Sequence, residues 1–165
     1  MEKVLTSHSE AETMQIAAAV AQTLRGGDVL LLDGELGAGK SVFVRGLARA
    51  LGITDRITSP TFVLFRVYQV KYKEQGTRNG GLDQEGPVSH VRMLVHVDAY
   101  RVRDAQELLD AGLGEWLERD DTVVAIEWGE RVRDAIPVTG RARAVTFSGG
   151  DSTDERIVTV CGAAE

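Results

Sequence analysis

The sequence has little of what several classes of protein require. It contains one cysteine, Cys161, so no disulfide can form within the chain, and this composition suits a reducing cytoplasm. No run of apolar residues approaches the length needed to span a bilayer, and the first residues lack the pattern of a signal peptide. We therefore predict a cytoplasmic protein without a membrane segment.

Positive charge is also scarce, because 19 lysines and arginines stand against 25 aspartates and glutamates, which gives a net charge of −6. Affinity for nucleic acid depends largely on cationic contacts to phosphate, so an acidic chain is a poor candidate for binding RNA by itself. If RNA is involved, we expect a partner protein to hold it. The chain has 165 residues, of which 43% are apolar, and this is enough for one globular domain with a substantial core.

The most informative stretch is GELGAGKS, residues 34–41, which fits the phosphate-binding pattern G-x-x-x-x-G-K-[ST]. The largely apolar residues 28–33 before it predict a buried strand. After it, Phe43, Leu47 and Leu51 share one face of a predicted helix. The motif therefore lies between a strand and a helix N-terminus, as a phosphate loop requires.

Each residue type in this loop has a chemical reason. Glycines let the backbone curl so that several N–H groups converge on a triphosphate, and the helix N-terminus adds the positive end of its dipole. Lys40 would contact the β- and γ-phosphates, and Ser41 would offer its hydroxyl to Mg²⁺. The residues of the loop that we predict to bind the nucleotide are Glu35, Leu36, Gly37, Ala38, Gly39, Lys40 and Ser41.

A P-loop hydrolase also needs a carboxylate at the end of a neighbouring buried strand to hold Mg²⁺. Two acids have that context, since Asp98 follows residues 94–97 and Glu127 follows residues 123–126. Either acid by itself could simply end a strand. Beside an intact phosphate loop, we expect one to serve the metal and the other to orient or deprotonate the attacking water. The residues themselves leave this division of labour open.

Single residues indicate which base the site prefers and which side chains could stabilise charge or contact a ligand there. GTPases of the Ras kind recognise guanine with an Asn-Lys-x-Asp motif, and the only asparagine here, Asn79, is followed by glycine, so ATP is favoured. Arg101 and Arg131 could stabilise charge in the site, although an arginine is more often a surface residue. Trp128, beside Glu127, is more often a packing aromatic than a platform for a ligand.

The segments around this centre predict one α/β domain over residues 1–165, with a mixed central sheet flanked by helices. Ser9 and Glu12 form a capping box before a helix that runs to about Leu24. The core face of that helix is predicted to include Ala11, Met14, Ala18 and Ala21.

Residues 62–70 and 91–98 are predicted to pair as an antiparallel hairpin, with the polar, glycine-rich residues 71–89 as a long mobile tip. Short helices are predicted after Asp104 and at 112–117. Further strands are predicted at 122–126, 143–147 and 156–160.

Four signals occur along the chain in an order that resembles the TsaE family, formerly YjeE, of small bacterial ATPases needed to make threonylcarbamoyladenosine on tRNA. They are the phosphate loop at 34–41, TSPTF at 58–62, HVDAYR at 96–101 and AIEW at 125–128. The phosphate loop alone does not identify the family, whereas the ordered set is highly specific. The resemblance covers roughly residues 5–131 and implies a P-loop NTPase-like fold.

The resemblance implies roles that the spacing does not show. Ser41 and Glu127 would hold Mg²⁺, Asp98 would be a catalytic carboxylate, and residues 59–61 would form a switch-like loop near the γ-phosphate. The candidates for catalysis are thus Asp98, Lys40 and Thr61. The candidates near the adenine are Ser7, Glu12 and Thr13. The chain departs from the family in a longer 71–89 segment and in a serine at position 41, where threonine is common.

The implied partners are the TsaD and TsaB proteins, with TsaD transferring the threonylcarbamoyl group, so that tRNA would be reached only through the complex. ATP hydrolysis would reset that complex between turnovers. Two other functions stay open: a small-molecule kinase with the same loop, and a nucleotide-sensing interaction module with little turnover. A kinase usually needs an arginine-rich lid, and no arginine cluster of that kind follows Lys40.

Overall fold

The structure is a computed structural model that describes residues 2–71, 90–134, 141–150, 152 and 154–162. Within these residues the chain forms seven strands and four α-helices, as expected of an α/β fold. In chain order they are β1 (Glu2–Ser7), α1 (Glu10–Ala21), β2 (Val29–Gly34), α2 (Lys40–Ala50), β3 (Phe65–Gln69), β4 (Met93–Asp98), α3 (Ala105–Asp110), α4 (Leu113–Leu117), β5 (Thr122–Glu127), β6 (Ala142–Gly149) and β7 (Arg156–Cys161), with a 3-10 turn at Gly129–Arg131 after β5.

The strands of the described residues form a single mixed sheet in the order β1-β7-β6-β2-β5-β4-β3. Its centre, β6-β2-β5-β4, is parallel, and the outer strands extend it by antiparallel pairing. Parallel neighbours end at the same edge of a sheet, so the segments that follow β2, β4 and β5 lie together. The predicted α/β fold with a mixed central sheet flanked by helices is confirmed.

Apolar side chains cover both faces of the central strands, as the uninterrupted burial of β2 and β5 requires. Leu30 and Leu32 of β2 pack on one face with α1 and α2, whereas Val29 and Leu31 pack on the other with α3 and α4. None of the helices in the described ranges is long and apolar enough to cross a membrane.

The predicted hairpin is present, because β3 and β4 pair antiparallel from Phe65 with Val97 to Gln69 with Met93. Its predicted tip, 71–89, lies outside the described residues apart from Lys71.

Helix α1 begins as predicted, and its core face is confirmed in part, since Val20 and Ala21 are buried. Ser9 Oγ accepts from the Glu12 N–H at 3.1 Å, and Glu12 Oε2 accepts from the His8 N–H at 2.7 Å, which completes the cap. The prediction for the core face was wrong for Ala11, which is exposed, and the helix ends at Ala21 rather than near Leu24. The buried residues of α1 are Thr13, Ala17, Val20 and Ala21.

The contact with α2 explains this orientation. A Cβ atom added at Gly46 of α2 would lie 2.7 Å from the Ala17 Cβ and 2.8 Å from the Met14 Cα, so the two helices meet at their smallest residues. An alanine-rich helix has little difference in hydrophobicity around its circumference, so this close contact decides which face is buried.

Candidate nucleotide-binding site

The turn from β2 into α2 has the backbone that a phosphate loop needs. Gly37 and Gly39 have φ values of 78° and 109°, a region that residues with a side chain rarely adopt. Gly39 immediately precedes the first residue of α2, Lys40. The first N–H groups of a helix have no partner within it and carry the positive end of its dipole, so this turn is suited to an anion.

The ammonium of Lys40 lies inside the loop rather than in solvent. Its Nζ donates to the carbonyl oxygens of Gly34 at 2.5 Å and Glu35 at 2.8 Å, and it lies 3.8 Å from the centroid of the Trp128 ring. The Trp128 ring packs in turn on that of Tyr100, with 5.0 Å between centroids. Trp128 is therefore part of the site and gives Lys40 a cation–π contact, which the sequence-based preference for a packing aromatic did not foresee.

Burial lowers the pKa of the Lys40 ammonium below its usual value, and the negative charges of Glu127 and Asp98 oppose that shift. Desolvation is the larger of these influences. A triphosphate beside Nζ would add negative charge and favour the protonated amine.

Ser41 and Glu127, predicted as metal ligands, meet at the end of β5. The Ser41 Oγ donates to Oε1 and Oε2 of Glu127 at 2.9 and 3.0 Å, and the Nε2 of His96 lies 2.7 Å from Oε1. Across the part of the chain that the structure describes, no group of three or more His, Cys, Asp or Glu side chains could hold a metal ion. Mg²⁺ typically takes one or two protein ligands and completes its shell with phosphate oxygens and water, so one hydroxyl and one carboxylate fit this ion beside a nucleotide.

Asp98 lies next to Glu127, since the two are register partners of β4 and β5. Its Oδ2 accepts from the hydroxyls of Thr61 at 2.9 Å and Ser59 at 3.3 Å, and its Oδ1 accepts from the Tyr100 N–H at 3.0 Å. The two hydroxyl oxygens lie 2.8 Å apart. The structure thus joins the loop 59–61 to the second carboxylate.

A cavity of about 380 Å³ connects these groups. Among its lining residues are the predicted Leu36, Gly37, Ala38, Gly39, Lys40, Ser41, Thr61, Asp98 and Glu127, together with Glu10, Ser59, Tyr100, Arg101 and Trp128. Arg101 therefore faces the cleft, and its guanidinium lies 5.1 Å from the centroid of the Phe62 ring. Within the described residues, its side chain makes no salt bridge.

A second cavity, of about 370 Å³, lies on the other side of the loop, where Glu35 meets the end of β6 and the start of β7. Arg156 lines it, and a Cβ atom at Gly39 would lie 3.5 Å from the Arg156 Cδ and 3.9 Å from the Thr13 Cγ2.

The three residues predicted near the adenine belong to β1 and α1 rather than to the phosphate loop. Ser7 and Thr13 are buried and their hydroxyl oxygens lie 2.8 Å apart, which ties the end of β1 to α1. Glu12 bonds to the cap of α1. Ser7, Glu12 and Thr13 line neither cavity, and Thr13 alone of the three approaches the loop.

Sequence reasoning missed Trp128 as a contact of Lys40, Arg156 beside Gly39, and His96 on Glu127. One signal was available for His96, because residues two apart on a strand share a face and His96 precedes Asp98 by two. For Arg156 no local signal exists, since β7 reaches the loop only through the sheet order.

A glycine-rich loop between a buried strand and a helix, with its lysine, its hydroxyl and a carboxylate from the neighbouring strand, defines a nucleotide-binding protein with a P-loop NTPase-like fold. The family model described as "Threonylcarbamoyl adenosine biosynthesis protein TsaE" matches residues 7–157, and the chain belongs to the TsaE family. The match continues past residue 131, where the motif resemblance ended, and includes Arg156.

Individual relatives agree with this assignment. The "tRNA threonylcarbamoyladenosine biosynthesis protein TsaE" of Streptomyces coelicolor is 36% identical over 158 residues, which cover 92% of this chain and 90% of that protein. The protein of the same description from Bacillus subtilis is 36% identical over 148 residues, 90% of this chain and 78% of that one. The crystal structure of Bacillus subtilis YdiB superposes with a TM-score of 0.70 at 27% identity, and covers 99% of this chain and 87% of that chain.

Proposed function

We propose that this protein is a Mg²⁺-dependent ATPase that hydrolyses ATP to ADP and phosphate in support of tRNA threonylcarbamoyladenosine synthesis. The observation that carries the proposal is the 2.9 Å hydrogen bond from Ser41 to Glu127, directly beside the buried Lys40. A hydroxyl at the start of the loop helix and a carboxylate at the end of the adjoining strand are the two protein groups that such enzymes direct to Mg²⁺.

The contacts of Lys40, Ser41 and Glu127 support a role for each of them. Lys40 would exchange its carbonyl partners for the β- and γ-phosphate oxygens, and Ser41 and Glu127 would hold Mg²⁺, which when bound draws negative charge from the phosphates. Asp98 would orient the attacking water or accept its proton. The hydroxyls of Thr61 and Ser59 both donate to Asp98 Oδ2, so both would lie close to the attacking water.

Arg101 would be a second cation, besides Lys40, that offsets charge on the γ-phosphate. It lines the cleft with Asp98, and its guanidinium lies 5.1 Å from the centroid of the Phe62 ring. The adenine would lie on the side of the loop that faces α1 and β7, where Thr13 and Arg156 approach Gly39 and where Ser7 and Glu12 fix the start of α1.

The partners would be TsaB-like and TsaD-like proteins, which the family resemblance names, and tRNA would be reached only through them. The apolar side chains at the mouth of the cleft support a partner that covers it, because Phe62 is 86% exposed and Leu36 is 81% exposed. The loop at 59–61 carries hydroxyls but no arginine. P-loop enzymes that lack an arginine finger of their own are often slow until a partner supplies or orders the missing group, which can be worth about 10³–10⁵ in rate.

A steady-state ATPase assay with and without the TsaB–TsaD pair tests this function. We expect weak hydrolysis by the isolated protein, a clear increase with the pair, and no activity when Mg²⁺ is chelated. Full-speed hydrolysis by the isolated protein, unchanged by the pair, would contradict the dependence on partners. Nucleotide binding without turnover under either condition would favour the sensing module.

Two further measurements in the same preparation separate the remaining alternatives. Release of inorganic phosphate in step with ADP distinguishes hydrolysis from a kinase, which would transfer the phosphoryl group to an acceptor. A titration of tRNA onto the isolated chain should show weak binding, because the net charge is −6.

A further inference from the structure

His96 is a buried polar side chain that the proposed reaction does not use. It lies buried on β4, and its ring contacts Glu127 on the neighbouring strand β5, with 2.7 Å between Nε2 and Oε1. Its side chain is 1% exposed and that of Glu127 is 6% exposed, so water does not compete with this contact. In such a buried pair each donor needs an acceptor, because a buried polar group without a hydrogen-bond partner lowers the stability of the fold.

The contacts of the ring show which nitrogen of His96 meets Glu127. An ionised carboxylate only accepts, so the hydrogen of this bond belongs to the His96 Nε2. The other nitrogen, Nδ1, is buried and has no hydrogen-bond partner among the described residues. Within the described residues, the contact that orients the ring is therefore the one from Nε2 to Glu127.

The two oxygens of Glu127 therefore have different partners. Oε1 accepts from both His96 and Ser41, whereas Oε2 accepts from Ser41 at 3.0 Å. If Ser41 turns its hydroxyl to a metal, Oε1 keeps its donor and Oε2 becomes free. We propose that His96 is a positioning residue that holds Oε1 of Glu127 and so presents Oε2 to the Mg²⁺ of the bound nucleotide.

This inference rests on the proposed function, because it needs a metal at Ser41 and Glu127. Hydrogen-bonding partners of metal ligands fix the direction of the ligand, and their loss typically lowers metal affinity or activity by about 10–100-fold. His96 does not touch the nucleotide loop in any described contact, so its removal should leave metal-free nucleotide binding unchanged.

Two amide substitutions of different length test whether His96 acts by holding Glu127 or only by filling the core. In His96→Gln the side-chain nitrogen can occupy the place of Nε2, whereas in His96→Asn it reaches only the place of Nδ1. Both are polar and smaller than histidine, so both affect the core. Leu94→Ala, two residues earlier on the same face of β4 and also fully buried, is the control for general loss of stability.

The measurement is the affinity of Mn²⁺ for the ADP-bound protein, read from the paramagnetic resonance signal of free Mn²⁺. Alongside it, ADP affinity is measured in EDTA, and thermal unfolding is measured without nucleotide. We expect His96→Asn to lose about 10–100-fold in Mn²⁺ affinity and His96→Gln to recover most of that loss. Leu94→Ala should unfold at a lower temperature and keep its Mn²⁺ affinity.

Equal Mn²⁺ affinity in wild type, His96→Gln and His96→Asn would overturn the inference, and so would an equal loss in His96→Asn and Leu94→Ala. Either result leaves the proposed function standing as long as the wild type binds ADP and Mn²⁺. A wild type that bound neither would refute both.

Discussion

The floor and the mouth of the cleft are built from opposite kinds of residue. On the floor, Lys40, His96, Asp98 and Glu127 are charged or polar, yet none is more than 8% exposed. At the mouth, several large apolar side chains are exposed. Among the described residues, five large apolar side chains are exposed, and four of them, Leu36, Phe62, Val63 and Tyr100, belong to the phosphate loop or to the segments that follow the hydroxyls and Asp98.

This inversion indicates that the two regions do different work. The floor rests on the ends of buried parallel strands and is closed by hydrogen bonds, so its geometry exists before any ligand arrives. The mouth has apolar surface that this part of the chain does not cover, as expected of a surface that meets a partner. Substitutions on the floor should therefore change the ATPase activity of the isolated protein, whereas substitutions at the mouth should change only the activity of the complex.

The largest expected effect is on the floor, at Lys40. Lys40→Ala removes the ammonium that would contact the β- and γ-phosphates, so ATP turnover should fall to background while the fold survives. Lys71→Ala is the control, since Lys71 is an exposed lysine that pairs with Asp55. Turnover and thermal unfolding are measured for both, and near wild-type turnover in a folded Lys40→Ala protein would reject the phosphate-loop assignment.

The next effect separates the two carboxylates. Asp98→Asn should keep nucleotide affinity and lose about 10²–10⁴ in turnover, because it removes the carboxylate that we propose to act on the attacking water. Glu127→Ala should weaken Mg²⁺-dependent nucleotide binding, because it removes a carboxylate that we propose as a metal ligand. Calorimetric titration with and without Mg²⁺, together with single-turnover rates, distinguishes them. The assignment is wrong if Asp98→Asn loses affinity while Glu127→Ala keeps it.

A smaller effect is expected at the mouth, at Phe62. Phe62→Ser should leave the isolated ATPase rate within about twofold but reduce its stimulation by the TsaB–TsaD pair by about tenfold or more, since a large exposed aromatic is typical of an interface anchor. Val4→Ser is the matched control, because Val4 is 61% exposed on β1, at the opposite edge of the sheet from β3. Equal stimulation of Phe62→Ser and Val4→Ser would place the partner contact elsewhere.

The floor was largely predictable because its residues are tied to element ends. A strand, a glycine-rich loop and a helix follow each other directly in the sequence, and Asp98 and Glu127 each end an apolar run, so their convergence follows from parallel strands ending at one edge. The hydrogen bond between Ser41 and Glu127 spans 86 positions and still agrees with that reasoning.

What could not be predicted depends on packing between elements distant in the sequence. The face of α1 is set by its contact with Gly46, which no periodicity in an alanine-rich segment reveals. Trp128 reaches Lys40 because the backbone of Trp128 takes a left-handed conformation, with φ of 61°, and its N–H bonds to the Leu32 carbonyl at 2.8 Å. Arg156 approaches the loop only because β6 and β7 continue the sheet beyond β2.

The smallest expected effect is on the stability of the nucleotide-free protein, and it depends on the charge of Lys40. Burial lowers the pKa of Lys40 from 10.5, so in the window between the lowered value and 10.5 the unfolded chain binds more protons than the folded one. The free energy of unfolding that depends on Lys40 is therefore highest above pH 10.5 and falls as the pH decreases through the lowered pKa. Lys40→Met keeps the length of the side chain and lacks this dependence.

Urea unfolding of both proteins at several pH values up to 10.5 provides the measurement. The free energy of unfolding of the wild type, relative to Lys40→Met, should rise with pH by less than about 1.4 kcal/mol per unit. Because the other titrating groups are common to both proteins, their contributions cancel in the difference. A relative stability that is flat or falls across this window would mean that the ammonium is already satisfied by Gly34, Glu35 and Trp128, and that the floor needs no phosphate to balance its charge.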